Sequence, residues 1–128
     1  MNDKILSFSA LIGFVIVSIR KEKLLEQGIV AQKMGITQAS YSRLENGKST
    51  LSVDQLYTVS KVLGITMDDL FYSISKALRQ AESQGINVIS PTRGSAKPEE
   101  STPNATATLL TGAAIGAALM GLFNNKES

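Results

Sequence analysis

Cysteine, histidine and tryptophan are all missing from this chain of 128 residues, and these absences exclude several classes of function. Without cysteine there is no disulfide framework, no thiol nucleophile and no cysteine-type zinc site. Without histidine the commonest general base and metal ligand is missing, and a Ser-His-Asp hydrolase is excluded. The acidic residues fall at predicted helix ends or on polar faces, where no other group converges with them. We therefore expect a protein that is not an enzyme and holds no metal or cofactor.

An excess of charge of one sign is also missing, since 13 Lys and Arg residues face 11 Asp and Glu residues. A net charge of +2 does not by itself indicate a nucleic-acid partner, so any basic surface depends on how the charges are placed. Aromatic residues are only 5% of the chain. Much of the aliphatic content lies in two blocks, residues 5–19 and 109–123, and these blocks need an explanation.

Five consecutive helices are predicted in the first two thirds of the chain. Apolar residues recur at helical spacing, and no window alternates convincingly with period two, except for a short stretch at 86–89. Ser and Thr residues stand where helices begin, and glycines stand where helices end. The fold class is therefore all-α. The predicted helices are 4–23, 27–34, 38–46, 53–63 and a fifth from Thr66 to as far as Gln84.

The composition changes after these helices. Residues 86–106 are rich in Ser, Thr and charged residues and contain all three prolines, so we expect a largely disordered linker. Residues 107–123 are rich in Gly and Ala and uncharged, and are predicted to form a short apolar helix before a polar end at 124–128. The chain then divides into a helical domain at 1–85, the linker and the C-terminal segment.

Residues 27–48 form the most informative segment. Gly35 permits a tight turn between two helices, Ala31 is small where the helices cross, and Ile36 plugs the core between them. Tyr41 and Leu44 give the second of these helices one buried stripe. Its other faces carry side chains of types that can contact base edges in DNA, namely Gln38, Ala39, Ser42 and Arg43.

This segment resembles the Cro/repressor-type (Xre-like) helix-turn-helix DNA-binding family. The resemblance extends over about residues 11–71 and includes the turn, the Arg-Leu-Glu-Asn-Gly-Lys run at 43–48, and the pattern at 63–71. It implies a five-helix lambda-repressor-like domain, here with extended first and fifth helices. It also implies that the third helix, 38–46, lies in the major groove.

The resemblance also implies roles for individual residues. Gln38 is expected to pair with adenine and Arg43 with guanine, whereas Ala39 and Ser42 face neighbouring bases. Arg20 and Glu45 match a structural ion pair that ties the first helix to the end of the recognition helix. Residues matching positions that contact phosphate or support the readers are Gln27, Thr37, Ser40, Asn46 and Lys48.

Two departures from the family pattern weaken the expected grip on phosphate. Glu26 stands where relatives often have Ser, Thr or Asn, and Val17 stands where many have Arg. A carboxylate at the start of a helix suits the helix dipole but repels DNA. Between positions 20 and 48 there are still six basic and three acidic residues, an excess that favours DNA.

The sequence therefore predicts a cytoplasmic, sequence-specific DNA-binding transcriptional regulator without a small-molecule ligand. It is expected to be a homodimer that reads a palindromic site in double-stranded DNA. Four apolar residues of the first helix are candidates for the dimer interface or for a dock for the C-terminal segment: Phe8, Leu11, Phe14 and Val15. The alternative is a membrane-associated or tail-anchored interaction protein, with residues 107–123 in the membrane and the helical domain used for assembly.

Overall fold

The computed structural model describes residues 4–90 and the backbone of residues 108–109. Five helices form most of this part, and three short strands accompany them. The elements in chain order are β1 (Lys4–Ser7), α1 (Phe8–Glu22), α2 (Gln27–Met34), α3 (Gln38–Glu45), α4 (Val53–Leu63), α5 (Met67–Ser83), β2 (Asn87–Ile89) and β3 (Thr108–Leu109).

The helix boundaries follow from the capping residues. The side-chain oxygens of Thr37 and Thr66 accept hydrogen bonds from backbone N–H groups three residues later, at the starts of α3 and α5. Ser52 and Gln55 form the reciprocal capping box that begins α4. Gly35 ends α2 in the left-handed conformation, with a φ of 79°, which a residue with a side chain rarely adopts. The predicted five-helix fold is therefore confirmed.

The prediction that the first helix starts at residue 4 is wrong. Residues 4–7 are the central strand of a three-stranded parallel sheet with the order β2-β1-β3. Ile5 pairs with Asn87 on one side and with Leu109 on the other. The hydroxyl of Ser7 accepts a hydrogen bond from the N–H of Ala10, which fixes the start of α1 at Phe8. The apolar content of this segment thus reflects a strand buried between two others.

The same sheet corrects two predictions about the C-terminal part. Residues 87–89, expected in a disordered linker, form β2, and Ile86 before them is only 3% exposed. Residues 108–109, expected to begin the apolar helix, form β3. The remainder of the linker, the rest of the predicted helix at 107–123 and the polar end lie outside the described residues.

One hydrophobic core lies between the five helices and one face of the sheet. Leu11 and Val15 of α1 are completely buried in it, and Phe8 and Phe14 pack against it while partly buried. The proposal that these four residues form a second contact surface is therefore wrong for Leu11 and Val15. Apolar side chains on several faces of α1 are thus buried inside the domain, and their burial stabilises the fold.

None of the helices that the structure describes is both long enough and apolar enough to cross a bilayer.

Candidate nucleic-acid interface

α3 presents two different faces, and its exposed face carries the residues predicted to contact DNA. Tyr41, Leu44 and Glu45 point into the domain, with Tyr41 completely buried. Gln38 and Arg43 are exposed on the other side. This division is the 3.6-residue periodicity of a helix with one face against a core, and it leaves the polar face open to a large partner.

The predicted base-facing and phosphate-side residues lie together at this face. Gln38, Ala39, Arg43, Asn46, Lys48 and Thr37 are exposed, and Gln27, Ser40 and Ser42 are partly buried. Within α3 the Arg43 guanidinium donates to Oγ of Ser40 and the Asn46 amide donates to Oγ of Ser42, both at 3.4 Å. Hydrogen bonds of this length are weak, so these donors can exchange them for a stronger acceptor.

Arg20 and Glu45 form a buried ion pair below this face. Arg20 Nε donates to Glu45 Oε2 at 2.5 Å and Arg20 Nη2 donates to Glu45 Oε1 at 3.2 Å. Arg20 Nη1 also donates to the carbonyl of Leu25, at 2.9 Å, just before α2. The pair thus joins α1, the entry to α2 and the C-terminal end of α3. A buried charge of this kind depends on its partner.

Glu45 also determines the orientation of two glutamine side chains. Its Oε1 accepts a hydrogen bond of 2.8 Å from Gln27 Nε2, and Gln27 Oε1 in turn accepts one of 3.3 Å from Gln38 Nε2. A carboxylate only accepts hydrogen bonds, so the Gln27 amide must turn its NH₂ group towards Glu45 and its oxygen towards Gln38. Gln38 then retains one N–H donor and its carbonyl oxygen for a ligand.

Gly28 in α2 is a residue of this site that the sequence analysis did not single out. A Cβ atom at position 28 would lie 3.3 Å from Gln38 Oε1, so the absence of a side chain leaves room for the Gln38 amide over α2. The only signal in the sequence is a glycine near the start of a helix, where it is unfavourable.

The electrostatics of the pair favour the charged form of Arg20. Burial alone would lower the pKa of Arg20, but the hydrogen bonds and negative charge of Glu45 outweigh it and raise the pKa above its ordinary value. Burial, and then the neighbouring Glu45 carboxylate, raise the pKa of Tyr41 well above its usual range. Tyr41 is thus a neutral core residue beside a charged pair.

The described residues contain no group of three or more acidic side chains placed to hold a metal ion. Glu26, at the start of α2, is exposed and makes no capping hydrogen bond with its side chain. Its charge is therefore exposed to solvent at the start of α2.

Comparisons with known proteins agree with this geometry. The family model described as Helix-turn-helix matches residues 16–70. Control protein C.MunI from Mycoplasma sp is 38% identical over 77 residues, which are 59% of this chain and 99% of that protein.

Two crystal structures of the clp gene regulator ClgR from Corynebacterium glutamicum share the fold. One has a TM-score of 0.58 at 20% identity, covering 61% of this chain and 83% of that one. The other has a TM-score of 0.53 at 21% identity, covering 56% and 92%. At such low identity the likeness concerns the fold alone. The family model and the control protein together establish that the chain belongs to the Cro/repressor-type helix-turn-helix family.

Proposed function

We propose that this protein is a sequence-specific DNA-binding transcriptional regulator that acts in the cytoplasm and inserts α3 into the major groove. The observation that carries the proposal is the exposed Gln38 at the first position of α3, held by Gln27, which the buried Arg20–Glu45 pair orients. A pre-oriented side chain on a rigid helix loses little conformational freedom on binding. The name of the similar control protein supports the same function.

Base recognition is proposed to begin at Gln38. Its remaining N–H and its carbonyl oxygen match the acceptor N7 and the donor N6 of adenine in the major groove. Arg43 would leave Ser40 and donate two hydrogen bonds to guanine O6 and N7, a stronger and better aligned pair. Ala39 would contact a thymine methyl group, and Ser42 would contact a neighbouring base edge.

The phosphate contacts are proposed to surround this central group. Lys48 follows α3 and is exposed, so its ammonium can reach the backbone of the duplex. Thr37, Ser40, Asn46 and Gln27 lie at the two ends of α3 and the start of α2, where side chains donate to phosphate oxygens. Glu26 opposes this grip, so we expect a modest affinity with a clear salt dependence.

We further propose that two copies bind a palindromic site. One eight-residue helix contacts only a few base pairs, and a second copy with its half-site about one helical turn, roughly 10 bp, away multiplies the specificity. Exposed large apolar side chains on α4 and α5 support association with a second copy: Val53, Tyr57, Phe71 and Tyr72. Sedimentation of the full chain should show dimers at high concentration, and a monomer throughout would refute this part.

The test of the proposed function is DNA binding by the full chain across a salt series. Duplexes selected from a random pool should bind far more tightly than a scrambled duplex. The logarithm of the association constant should fall linearly with the logarithm of salt, by about 0.9 per phosphate contact. Arg79→Ala, a change of an exposed arginine on α5, is the control that should bind as the wild type does.

A flat salt dependence with no selected sequence would refute DNA recognition. It would leave the membrane-associated alternative, which depends on residues 107–123. Full release of the protein from a membrane fraction by carbonate would then exclude a spanning segment.

A further inference from the structure

α1 and the C-terminal end of α3 approach each other more closely than side chains allow. A Cβ atom at position 13 would overlap the carbonyl oxygen of Glu45 and would lie 2.8 Å from the carbonyl oxygen of Leu44. Packed helices are normally separated by side chains, with their axes 8–10 Å apart. Here the backbone of α3 rests directly on the backbone of α1, and only glycine at position 13 permits this contact.

A second glycine allows the same close approach from the other side. Gly47 follows α3 with a φ of 76°, and a Cβ atom there would lie 2.6 Å from both Cα and Cβ of Ala10. Ala10, three residues before Gly13, is itself 7% exposed. Because positions i and i+3 share a helix face, Ala10 and Gly13 form one small-residue surface on which the end of α3 is seated.

Arg20 belongs to the same face of α1, because it follows Gly13 by seven residues, about two helical turns. α1 thus holds Glu45 twice: Gly13 contacts its backbone carbonyl and Arg20 binds its carboxylate. The position of the Glu45 carboxylate sets that of the Gln27 amide, which in turn receives the amide of Gln38. A displacement at Gly13 would therefore reach a residue proposed to contact DNA.

We propose that Gly13 and Gly47 are positioning residues that set where α3 lies in the major groove, although neither has a side chain that could contact DNA. This inference rests on the proposed function of α3. A methyl group at position 13 would force the helices apart by about 1 Å, whereas a binding constellation tolerates a displacement of only about 0.5 Å. Base contacts require this alignment, but a flexible lysine that reaches a phosphate does not. The glycines thus control sequence discrimination rather than general affinity for DNA.

The test compares Gly13→Ala with Gly64→Ala in the full chain, using a selected and a scrambled duplex. Gly64 has a left-handed φ of 75°, like Gly47, but nothing lies within 4 Å of a Cβ atom there, so its substitution destabilises the domain without moving α3. Gly13→Ala should lose about tenfold or more in affinity for the selected duplex and change little on the scrambled one. Gly64→Ala should keep the wild-type ratio of affinities for the two duplexes. Circular dichroism checks that both variants fold.

A double-mutant cycle shows whether Gly13 acts through Gln38. The loss of affinity for the selected duplex caused by Gly13→Ala should become smaller in a Gln38→Ala background, because the proposed contact between Gln38 and a base is already absent there. A merely structural role would give the same loss in both backgrounds. A folded Gly13→Ala variant with wild-type discrimination would overturn the inference while leaving the proposed function intact.

Two further arms keep the inference testable. If Gly13→Ala does not fold, Ala10→Gly takes its place, because it removes the methyl group that faces Gly47 and so weakens the contact between α1 and the end of α3. An unchanged ratio of affinities for the selected and scrambled duplexes in that variant would overturn the proposal. If the wild-type chain binds no DNA, the proposed function fails. The side-chain amide NMR signals of Gln27 and Gln38 then report directly on their positions. Signals that stay unchanged in Gly13→Ala or Ala10→Gly would refute the positioning role.

Discussion

At the scale of single residues, Glu45 connects the stability of the domain to its proposed site. Its side chain is almost completely buried, and its two oxygens accept hydrogen bonds from Arg20 and Gln27. Removing one partner of such a pair leaves the other charge buried without compensation. Replacing Glu45 also releases the Gln27 amide from its fixed orientation.

Glu45→Gln should therefore destabilise the domain by about 3 kcal/mol, because Arg20 keeps its charge and loses its counterion. Glu82→Gln, on the exposed side of α5, is the matched control and should change the free energy of unfolding by less than about 0.5 kcal/mol. Urea denaturation of the two variants measures the difference. Equal stabilities would mean that the pair contributes nothing to the fold.

Tyr41 should make stability depend on pH in the alkaline range. The raised pKa means that the folded domain keeps the Tyr41 proton at pH values where the unfolded chain, with a pKa near 10, has released it. This contribution is fully present below about pH 10 and is lost as pH rises, by about 1.4 kcal/mol per pH unit. Urea denaturation of Tyr41→Phe should lack this decline, whereas Tyr57→Phe, at an exposed position, should retain it.

The proposed DNA contacts should separate into two kinds by substitution. Gln38→Ala or Arg43→Ala should each weaken binding to the selected duplex by about 1–3 kcal/mol and relax specificity at one base pair. Lys48→Ala should weaken all duplexes alike and reduce the salt slope by about 1. Repeating the site selection with each variant measures this. The assignment of readers fails if Gln38 and Arg43 variants select the wild-type sequence.

At the scale of elements, α3 depends on a turn that is defined by two residues. Gly35 reverses the chain after α2, and the Thr37 hydroxyl accepts a hydrogen bond from the N–H of Ser40 at 3.0 Å, which begins α3. Thr66 begins α5 with the same geometry and the same distance. Among the described helices, α3 and α5 therefore begin with equivalent threonine caps, of which only one lies at the proposed site.

Thr37→Ala and Thr66→Ala should each destabilise the domain by about 1 kcal/mol, because each removes one cap. Only Thr37→Ala should also weaken binding to the selected duplex, since it loosens the end of α3 that carries Gln38. Thermal unfolding and DNA titration of both variants check this. A similar loss of DNA affinity in both would indicate a general effect of stability instead.

The sequence predicted α2 to α5 to within about one residue because their signals are local. Ser52, which caps the start of α4, and Gly64, which ends it, form their capping hydrogen bonds with residues no more than four positions away. The sheet could not be predicted in this way, because β1 acquires its strand partners from residues far along the chain. The residues predicted for the site lie near one another in the sequence. The contact at Gly13, in contrast, depends on the packing of α1 on α3, and no local sequence pattern indicates it.

At the scale of the whole molecule, the strands β1 and β2 add to the hydrophobic core of the helical domain. Leu6 of β1 is completely buried, and Ile86, just before β2, is 3% exposed. The family model matches residues 16–70, so these two residues extend the core beyond the matched segment on both sides. Strands β1 and β2 are therefore part of the folded domain.

Ile86→Ala should destabilise the domain by about 2–4 kcal/mol, because it leaves a cavity between α5 and the sheet. Leu24→Ala, at a position that is 90% exposed, is the control and should change stability by less than about 0.5 kcal/mol. Chemical denaturation measures both. A small effect at position 86 would show that the sheet end of the core contributes little to stability.

The pairing of β1 with β2 has a consequence for the order in which the chain folds. Ile5 and Asn87 are about 80 residues apart, so their contact closes a long loop, whereas the helices form from neighbouring residues. During synthesis the first strand emerges long before its partners exist. We therefore expect the helices that carry the DNA face to assemble while residues 4–7 are still unpaired, and the sheet to form last, once residues 87–89 and 108–109 have left the ribosome.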